Sequence, residues 1–416
     1  MKLFPYGHAT HPAWRIAVAL VVAQIRARMA TVNCAPSARL GLLYFSDHYA
    51  RDAHAILEAL QDEFPQVSDW AGSVSVGVMA AHAEYMGDAA LSVMLLDLPA
   101  DAYRIFSGIA PIPSMPGTSG FQAESALVHA DGALPELDNL LEELAERTSQ
   151  QTLAGGLSSG IVAPVQVAWS KALAPDHGGV FTGGLSGIAF HHGAHALIRL
   201  THGCSPVSAR MDISAAQDNV VLALGGRPAL DVLQEVLQVD IALHPEDAVR
   251  KMPHFLAGLD DGDSPPPARG PAGLLPSARM RPLLGLDLQR RGIVLPEPVV
   301  AGQRLTICQR SLSAARSDLV RMGTEVREEL SASAALPQAP GLAQGTPTAS
   351  RYIAGAVYIS CIGRGGRYFG GEHAELELLH QALGDVPLIG FFSNGQIADR
   401  HLHRYSGVLL AFLRQR

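Results

Sequence analysis

Two segments near the end of the chain carry side chains suited to recognising a small ligand. The first runs from Gly355 to Gly366 (GAVYISCIGRGG) and places a thiol, a guanidinium and three glycines after an apolar run. Glycines let backbone N–H groups turn toward an anion, and a guanidinium binds a carboxylate or phosphate in a bidentate manner. We therefore expect Arg364 and the N–H groups of Gly363 to Gly366 to bind the anionic group of a ligand. The alternative is a structural arginine that holds its own loop.

The second segment runs from Pro387 to Ile397 (PLIGFFSNGQI), where an apolar strand ends in a Ser-Asn-Gly turn. Its amide side chains could bind the polar remainder of a ligand, and its phenylalanines could form a pocket wall. Polar loops at the ends of neighbouring strands are a common place for ligand sites. The predicted ligand-binding residues are Cys361, Gly363, Arg364, Gly365, Gly366, Phe391, Phe392, Asn394, Gln396, Ser46 and Asp47.

Ser46 and Asp47 belong to a third polar strand end, which follows the apolar run from Arg39 to Phe45 (RLGLLYF). They could hydrogen-bond a ligand, or they could cap the helix that follows. Both roles are compatible.

Two residues could instead act as nucleophiles. Arg364 and Arg367 could lower the pKa of Cys361, although an unpaired cysteine is more often a small buried hydrophobe. Ser158 lies in GLSSG, which matches the GxSxG nucleophile elbow, but that elbow needs a strand before the serine and a helix after it. Here the strand-like IVAPVQVAW follows, so the pattern favours a glycine turn that enters a strand. We expect no catalytic residue, and a small-metabolite enzyme using Cys361 or Ser158 is the alternative.

The sequence predicts no metal and no cofactor. His191, His192 and His195 lie in HHGAH, and His202 follows seven residues later. The HHGAH segment resembles a hairpin turn between two strands, which favours solvent-exposed histidines over a metal site. Tyr368 stands where a dinucleotide fingerprint needs its third glycine. The four cysteines are scattered, which is neither a disulfide framework nor a zinc spacing and fits a reducing cytoplasm.

Composition limits the class of protein. Of 416 residues, 48% are hydrophobic and 17% charged, which is typical of a globular chain of two or three domains. The formal net charge of −8 argues against nucleic-acid binding. The most apolar stretch, Ile16 to Ile25, is too short to span a membrane and is flanked by arginines, so it predicts an amphipathic helix packed on the protein.

The strands and helices that would position these residues occur twice along the chain in the same order. Strands are predicted at 41–45, 74–79 and 91–98, with a helix at 52–63, and again at 356–360, 388–392 and 407–412, with a helix at 372–383. The first two strands start 33 residues apart in one set (41 to 74) and 32 in the other (356 to 388). This weak repeat predicts two related α/β domains with mixed sheets and a cleft between the halves. Between them, 162–169, 179–190 and 194–200 predict an antiparallel meander.

Motifs in this order resemble the FIST family of paired N- and C-terminal sensory domains. They are LLYFSDHYARDA, AGGLSSG, GVFTGGLSGIAF and LTHGCSPVS, then YISCIGRG, PLIGFFSNGQI and YSGVLLAF, and they cover about 38–412. The resemblance implies a lead-in helix at 1–37, a FIST N-terminal-like domain at 38–228 and a FIST C-terminal-like domain at 229–412. Mobile insertions are expected near 260–273 and 335–350.

The resemblance also implies a function. It implies an intracellular protein that senses an amino acid or a similar small polar molecule and acts through a separate signalling partner. The family's turn is usually Asn-Gly-Glu-Ile, and Gln396 replaces the acid here, which predicts a different or less cationic ligand. A protein-interaction scaffold that uses Pro265 to Pro267 is a further alternative.

Overall fold

The computed structural model describes residues 1–113, 121–173, 177–261, 278–332 and 351–415. The predicted insertion at 335–350, and all but the first two residues of the one at 260–273, lie outside this range, as do Pro265 to Pro267. The chain forms two compact units. Unit 1 comprises 1–200, 319–402 and 406–416, and unit 2 comprises 201–318 and 403–405.

The helices are α1 (Trp14–Met29), α2 (Ala53–Glu63), α3 (Leu137–Glu146), α4 (Ala229–Leu237), α5 (Pro245–Lys251), α6 (Leu312–Ala332) and α7 (Ala374–Leu383). The strands up to residue 190 are β1 (Tyr6–Thr10), β2 (Leu40–Ser46), β3 (Asp69–Ser75), β4 (Gly77–Ala80), β5 (Ala83–Met86), β6 (Ala90–Leu96), β7 (Tyr103–Ser107), β8 (Ser125–Ala130), β9 (Thr152–Leu157), β10 (Val165–Ser170), β11 (Gly179–Thr182) and β12 (Leu185–Phe190). The strands up to residue 310 are β13 (Ala196–His202), β14 (Cys204–Pro206), β15 (Met211–Gln217), β16 (Val220–Leu224), β17 (Arg227–Pro228), β18 (Phe255–Asp260), β19 (Arg279–Pro282), β20 (Gly285–Asp287), β21 (Gly292–Val294) and β22 (Arg304–Arg310). The remaining strands are β23 (Arg351–Cys361), β24 (Leu388–Ser393), β25 (Gln396–Asp399), β26 (His401–His403) and β27 (Ser406–Gln415). None of these described helices is both long and apolar enough to cross a membrane.

The predicted mixed α/β fold is confirmed. Unit 2 is built on the sheet β19-β18-β22-β15-β16-β21-β20, with β14 paired to β22 and β17 to β16. Three six-stranded sheets form unit 1, apart from the last residues of β13 and β26. Their orders are β1-β6-β2-β3-β10-β11, β7-β12-β8-β9-β25-β26 and β13-β27-β23-β24-β4-β5.

These three sheets share one strand pattern. In each, two parallel strands are joined through a helix, and a later strand lies antiparallel to the first. The triplets are β2, β3 and β6 around α2, then β8, β9 and β12 around α3, and then β23, β24 and β27 around α7. The two copies predicted from spacing are the first and the third. The middle copy contains β12, which the sequence assigns to a meander. Among the described residues of that predicted meander, only β10 and β11 form a hairpin.

The copies also exchange strands in a cycle. The strand that follows each second parallel strand leaves its own sheet and pairs with a strand of another copy. The first copy pairs with the third in this way, the third with the second, and the second with the first. Thus β4 pairs with β24, β25 with β9, and β10 with β3. Strands of both predicted halves therefore share sheets within unit 1.

A glycine in the middle of each second parallel strand allows the close approach of its parallel partner. A Cβ at Gly72, Gly155 or Gly390 would lie 1.8, 2.0 or 1.8 Å from a carbonyl oxygen of the partner strand. A serine follows three residues later in every copy, as Ser75, Ser158 and Ser393. This Gly-x-x-Ser element is the sequence mark of the threefold repeat.

The core of unit 1 lies on the faces shared by the three sheets. Leu42, Leu127 and Val357, from the first parallel strand of each copy, belong to one buried cluster. Neighbouring side chains alternate, so Leu43 on the opposite face packs with α1 and α2 instead. The first parallel strand of each copy is buried on both faces, which explains the continuous apolar runs in the sequence.

Candidate functional site

The three Gly-x-x-Ser elements bring the carboxyl ends of their strands together. Hydroxyl groups link each copy to another. The links are Ser75 Oγ to the Phe392 carbonyl, Ser393 Oγ to the Leu157 carbonyl at 3.0 Å, and Ser73 Oγ to Ser158 Oγ at 2.8 Å. All of these serines are buried. The three hydrogen bonds therefore hold the three copies together and orient the polar loops that follow the strands.

Arg364 lies in one of those loops, and the fold supplies its carboxylate. Its side chain is 1% exposed, and Nη2 lies 2.7 Å from Glu375 Oε1 on α7. Tyr358 and Ser360 on β23 donate hydrogen bonds of 2.7 Å to the same carboxylate. Burial alone would lower the pKa of Arg364, but Glu375 raises it above its usual value, so the guanidinium stays charged. Glu375 thus fills the place that the sequence assigned to a ligand's anionic group.

A second carboxylate lies against the glycine loop. Glu84, on β5, is buried, and its Oε1 accepts a hydrogen bond from the Leu376 N–H at 3.4 Å. The N–H groups of Gly366 and Glu375 also favour its charged form, whereas burial and the charge of Glu375 raise the pKa of Glu84 to about 7. Of the glycine N–H groups expected to face a ligand, that of Gly366 thus lies against a carboxylate of this chain, together with two N–H groups at the start of α7.

The residues of the second predicted segment are mostly internal. Phe391 and Phe392 are fully buried, and the Phe391 ring lies 4.7 Å from the Tyr44 ring, centroid to centroid. Gln396 is also buried. Its Nε2 donates to the Ser393 carbonyl at 2.8 Å, and its Oε1 accepts from the Ser406 N–H at 3.3 Å. Gln396 therefore orders its own hairpin.

The remaining predicted polar residues connect loops. Ser46 Oγ accepts the Ala90 N–H at 3.0 Å, and Asp47 Oδ1 accepts the Val162 N–H at 3.1 Å. Neither side chain caps the following helical turn. Asn394 is exposed, and its N–H donates to Ser159 Oγ at 2.9 Å. The polar side chains of Arg364, Gln396, Ser46 and Asp47 thus bond to other groups of this chain that the sequence did not single out. Their binding of a ligand stays a prediction.

The two candidate nucleophiles lack catalytic geometry in the described part of the chain. Cys361 is 6% exposed at the end of β23. Strand β9 precedes Ser158, contrary to the expected turn, but the residues after Ser158 form a loop and no helix. The only hydrogen-bond partner of the Ser158 hydroxyl among the described residues is Ser73, so no histidine activates it.

A cavity beside α1 is lined by two side chains of opposite charge, Arg28 and Asp385. It measures about 190 Å³ and is lined by Leu3, Phe4, Pro5, Tyr6, Arg28, Thr31, Asn33, Cys34, Asp385 and Pro387. The Arg28 guanidinium lies 4.1 Å above the centroid of the Tyr6 ring. Among the described residues, neither Arg28 nor Asp385 forms an ion pair. Sequence reasoning missed both, because they come together only through the fold.

Comparison with known proteins gives the family. The model of the FIST N domain matches residues 39–227, and that of the FIST C domain matches residues 229–399. The chain belongs to the FIST family. FIST domains are sensory modules of signal transduction. The family ranges divide the chain by sequence, whereas the compact units join parts of both FIST domains in unit 1.

Similar curated proteins carry no stated activity. One is the uncharacterized protein MT0656 of Mycobacterium tuberculosis (strain CDC 1551 / Oshkosh), 26% identical over 98% of each chain. Another is the uncharacterized protein Mb0898c of Mycobacterium bovis, 27% identical over 56% of this FIST chain and 54% of its own length.

Proposed function

We propose that this FIST protein senses a small carboxylate-bearing metabolite, an amino acid or a similar small polar molecule, in the cavity beside α1. The observation that carries the proposal is the half-buried Arg28, a cation that lines this cavity and has no carboxylate partner among the described residues. A half-buried guanidinium favours an anionic partner, and a ligand carboxylate can accept two parallel hydrogen bonds from it.

The shape and charge of the cavity support this ligand class. Its volume of about 190 Å³ is below the roughly 300–1,000 Å³ of sites for drug-sized ligands, which favours a small metabolite. Stacking on Tyr6 holds one face of the guanidinium and leaves its N–H edge for a ligand. Asp385 lines the same cavity and could accept the ammonium group of an amino acid.

The proposal assigns the ligand's carboxylate to Arg28 rather than to Arg364, because Glu375 already neutralises Arg364. We further propose that the protein works in the cytoplasm, a location supported by its four unpaired cysteines. Its output would pass to a separate signalling protein, as the sensory role of the family suggests.

A thermal-shift screen tests the proposal. Amino acids, small carboxylates and nucleotides are each added to the wild type, Arg28→Ala and Arg26→Ala. Arg26 is a matched control, since it lies on the same helix but is exposed and paired with Glu63 at 2.6 Å. We expect an amino acid or small carboxylate to raise the melting temperature of the wild type and Arg26→Ala, but not of Arg28→Ala. Stabilisation by nucleotides alone, or a shift that Arg28→Ala retains, would contradict the proposal.

A further inference from the structure

Three side chains far apart in sequence form a cluster of metal-ligand type in unit 1. One ligand atom from each of His82, His380 and Asp385 lies within 4.8 Å of the other two. His82 is at the turn between β4 and β5, His380 is in the last turn of α7, and Asp385 follows that helix. The Ala81 N–H donates to the Leu388 carbonyl at 2.9 Å, which holds the turn next to the segment after α7.

The buried member of the cluster has the hydrogen bonding of a metal ligand. His380 is 7% exposed, and its Nδ1 lies 2.9 Å from the Leu376 carbonyl oxygen. Because a carbonyl only accepts, Nδ1 carries the proton and Nε2 keeps its lone pair. Nε2 is buried and has no hydrogen-bond partner among the described residues. A buried polar atom without a partner is costly, and metal-binding histidines commonly donate their other N–H to a backbone carbonyl.

The other two members can adjust around His380. The His82 ring lies 3.9 Å from the His380 ring, centroid to centroid, and His82 and Asp385 are exposed. Small rotations of these two side chains would direct all three ligand atoms at one point that solvent can reach.

We propose that His82, His380 and Asp385 bind a divalent transition-metal ion of the Zn²⁺ type. Two imidazoles and one carboxylate suit Zn²⁺, Ni²⁺ or Co²⁺, whereas Ca²⁺ and Mg²⁺ prefer all-oxygen sites. Three protein ligands leave a fourth position for water or another ligand. The ion would clamp the β4–β5 turn to the end of α7. The proposal does not depend on the ligand of Arg28, although Asp385 borders both sites.

Calorimetric titration of the full chain with ZnCl₂, after removal of metal by EDTA, tests the site. The wild type should bind one equivalent, and excess Mg²⁺ should not compete. His82→Ala, an exposed substitution that leaves the core intact, should weaken this binding at least about tenfold, since one of three ligands is lost. Co²⁺ should give visible absorption bands in the wild type that His82→Ala loses.

His192→Ala is the matched control, since this exposed histidine belongs to the other histidine cluster, where its ring contacts His191. It should bind Zn²⁺ as the wild type does. The absence of stoichiometric binding in the wild type would overturn the proposal. So would unchanged binding by His82→Ala, or loss of binding by His192→Ala.

Discussion

Replacing Arg364 by methionine should destabilise the fold strongly. Glu375 is 2% exposed and would remain a buried carboxylate without its cation, keeping only the hydrogen bonds from Tyr358 and Ser360. Breaking a buried ion pair by removing one partner typically costs about 3–5 kcal/mol. Urea denaturation should therefore show a free energy of unfolding lower by roughly that amount.

Two further variants separate the ion pair from general effects of substitution. Arg367→Met alters an arginine of the same loop whose side chain is 84% exposed and 3.3 Å from the exposed Glu372, so it should change stability little. Arg364→Met combined with Glu375→Leu removes both charges and should recover part of the loss. The reasoning is refuted if Arg364→Met is as stable as Arg367→Met, because Arg364 would then be free to serve a ligand.

Three other predictions follow from buried groups. Gly390→Ala should cost several kcal/mol or prevent folding, because its Cβ would lie 1.8 Å from the Tyr358 carbonyl oxygen, while Gly108→Ala, with open space around it and an ordinary backbone conformation, should be tolerated in the same denaturation assay. Burial lowers the pKa of His129 from 6.5 to about 3, so the unfolded chain binds the extra proton below pH 6.5. Stability from this residue should be complete above pH 6.5 and fall by about 2 kcal/mol by pH 5, a loss that His129→Gln should not show. Cys361 should react with iodoacetamide only on unfolding, and rapid selective alkylation of the native protein would instead favour the thiol enzyme.

Much of the fold could be predicted from local patterns. Continuous apolar runs mark β2 and β23, and helical spacing marks α2 and α7, so two of the three copies were visible. The middle copy was missed because β9 contains Gly155 and Gly156, which resemble a turn, and because β12 was grouped with its neighbours in sequence. The Gly-x-x-Ser element common to β3, β9 and β24 could have revealed it.

The candidate site was less predictable, because the ion-pair and hydrogen-bond partners of its residues depend on tertiary contacts. The sequence shows Arg364 beside glycines, but Glu375 reaches it only because α7 turns that face toward β23. Glu84 reaches the amide of Leu376 across 292 residues. Arg28 belongs to no motif, and only the fold places it beside a cavity without an ion-pair partner among the described residues.

Calorimetric titration of the best amino acid or small carboxylate from the screen tests the central claim most directly. Charged hydrogen bonds contribute about 1.5–3 kcal/mol, so Arg28→Ala should raise the dissociation constant roughly 10- to 150-fold, while Arg26→Ala leaves it unchanged. Equal affinity of the wild type and Arg28→Ala for that ligand would contradict the account.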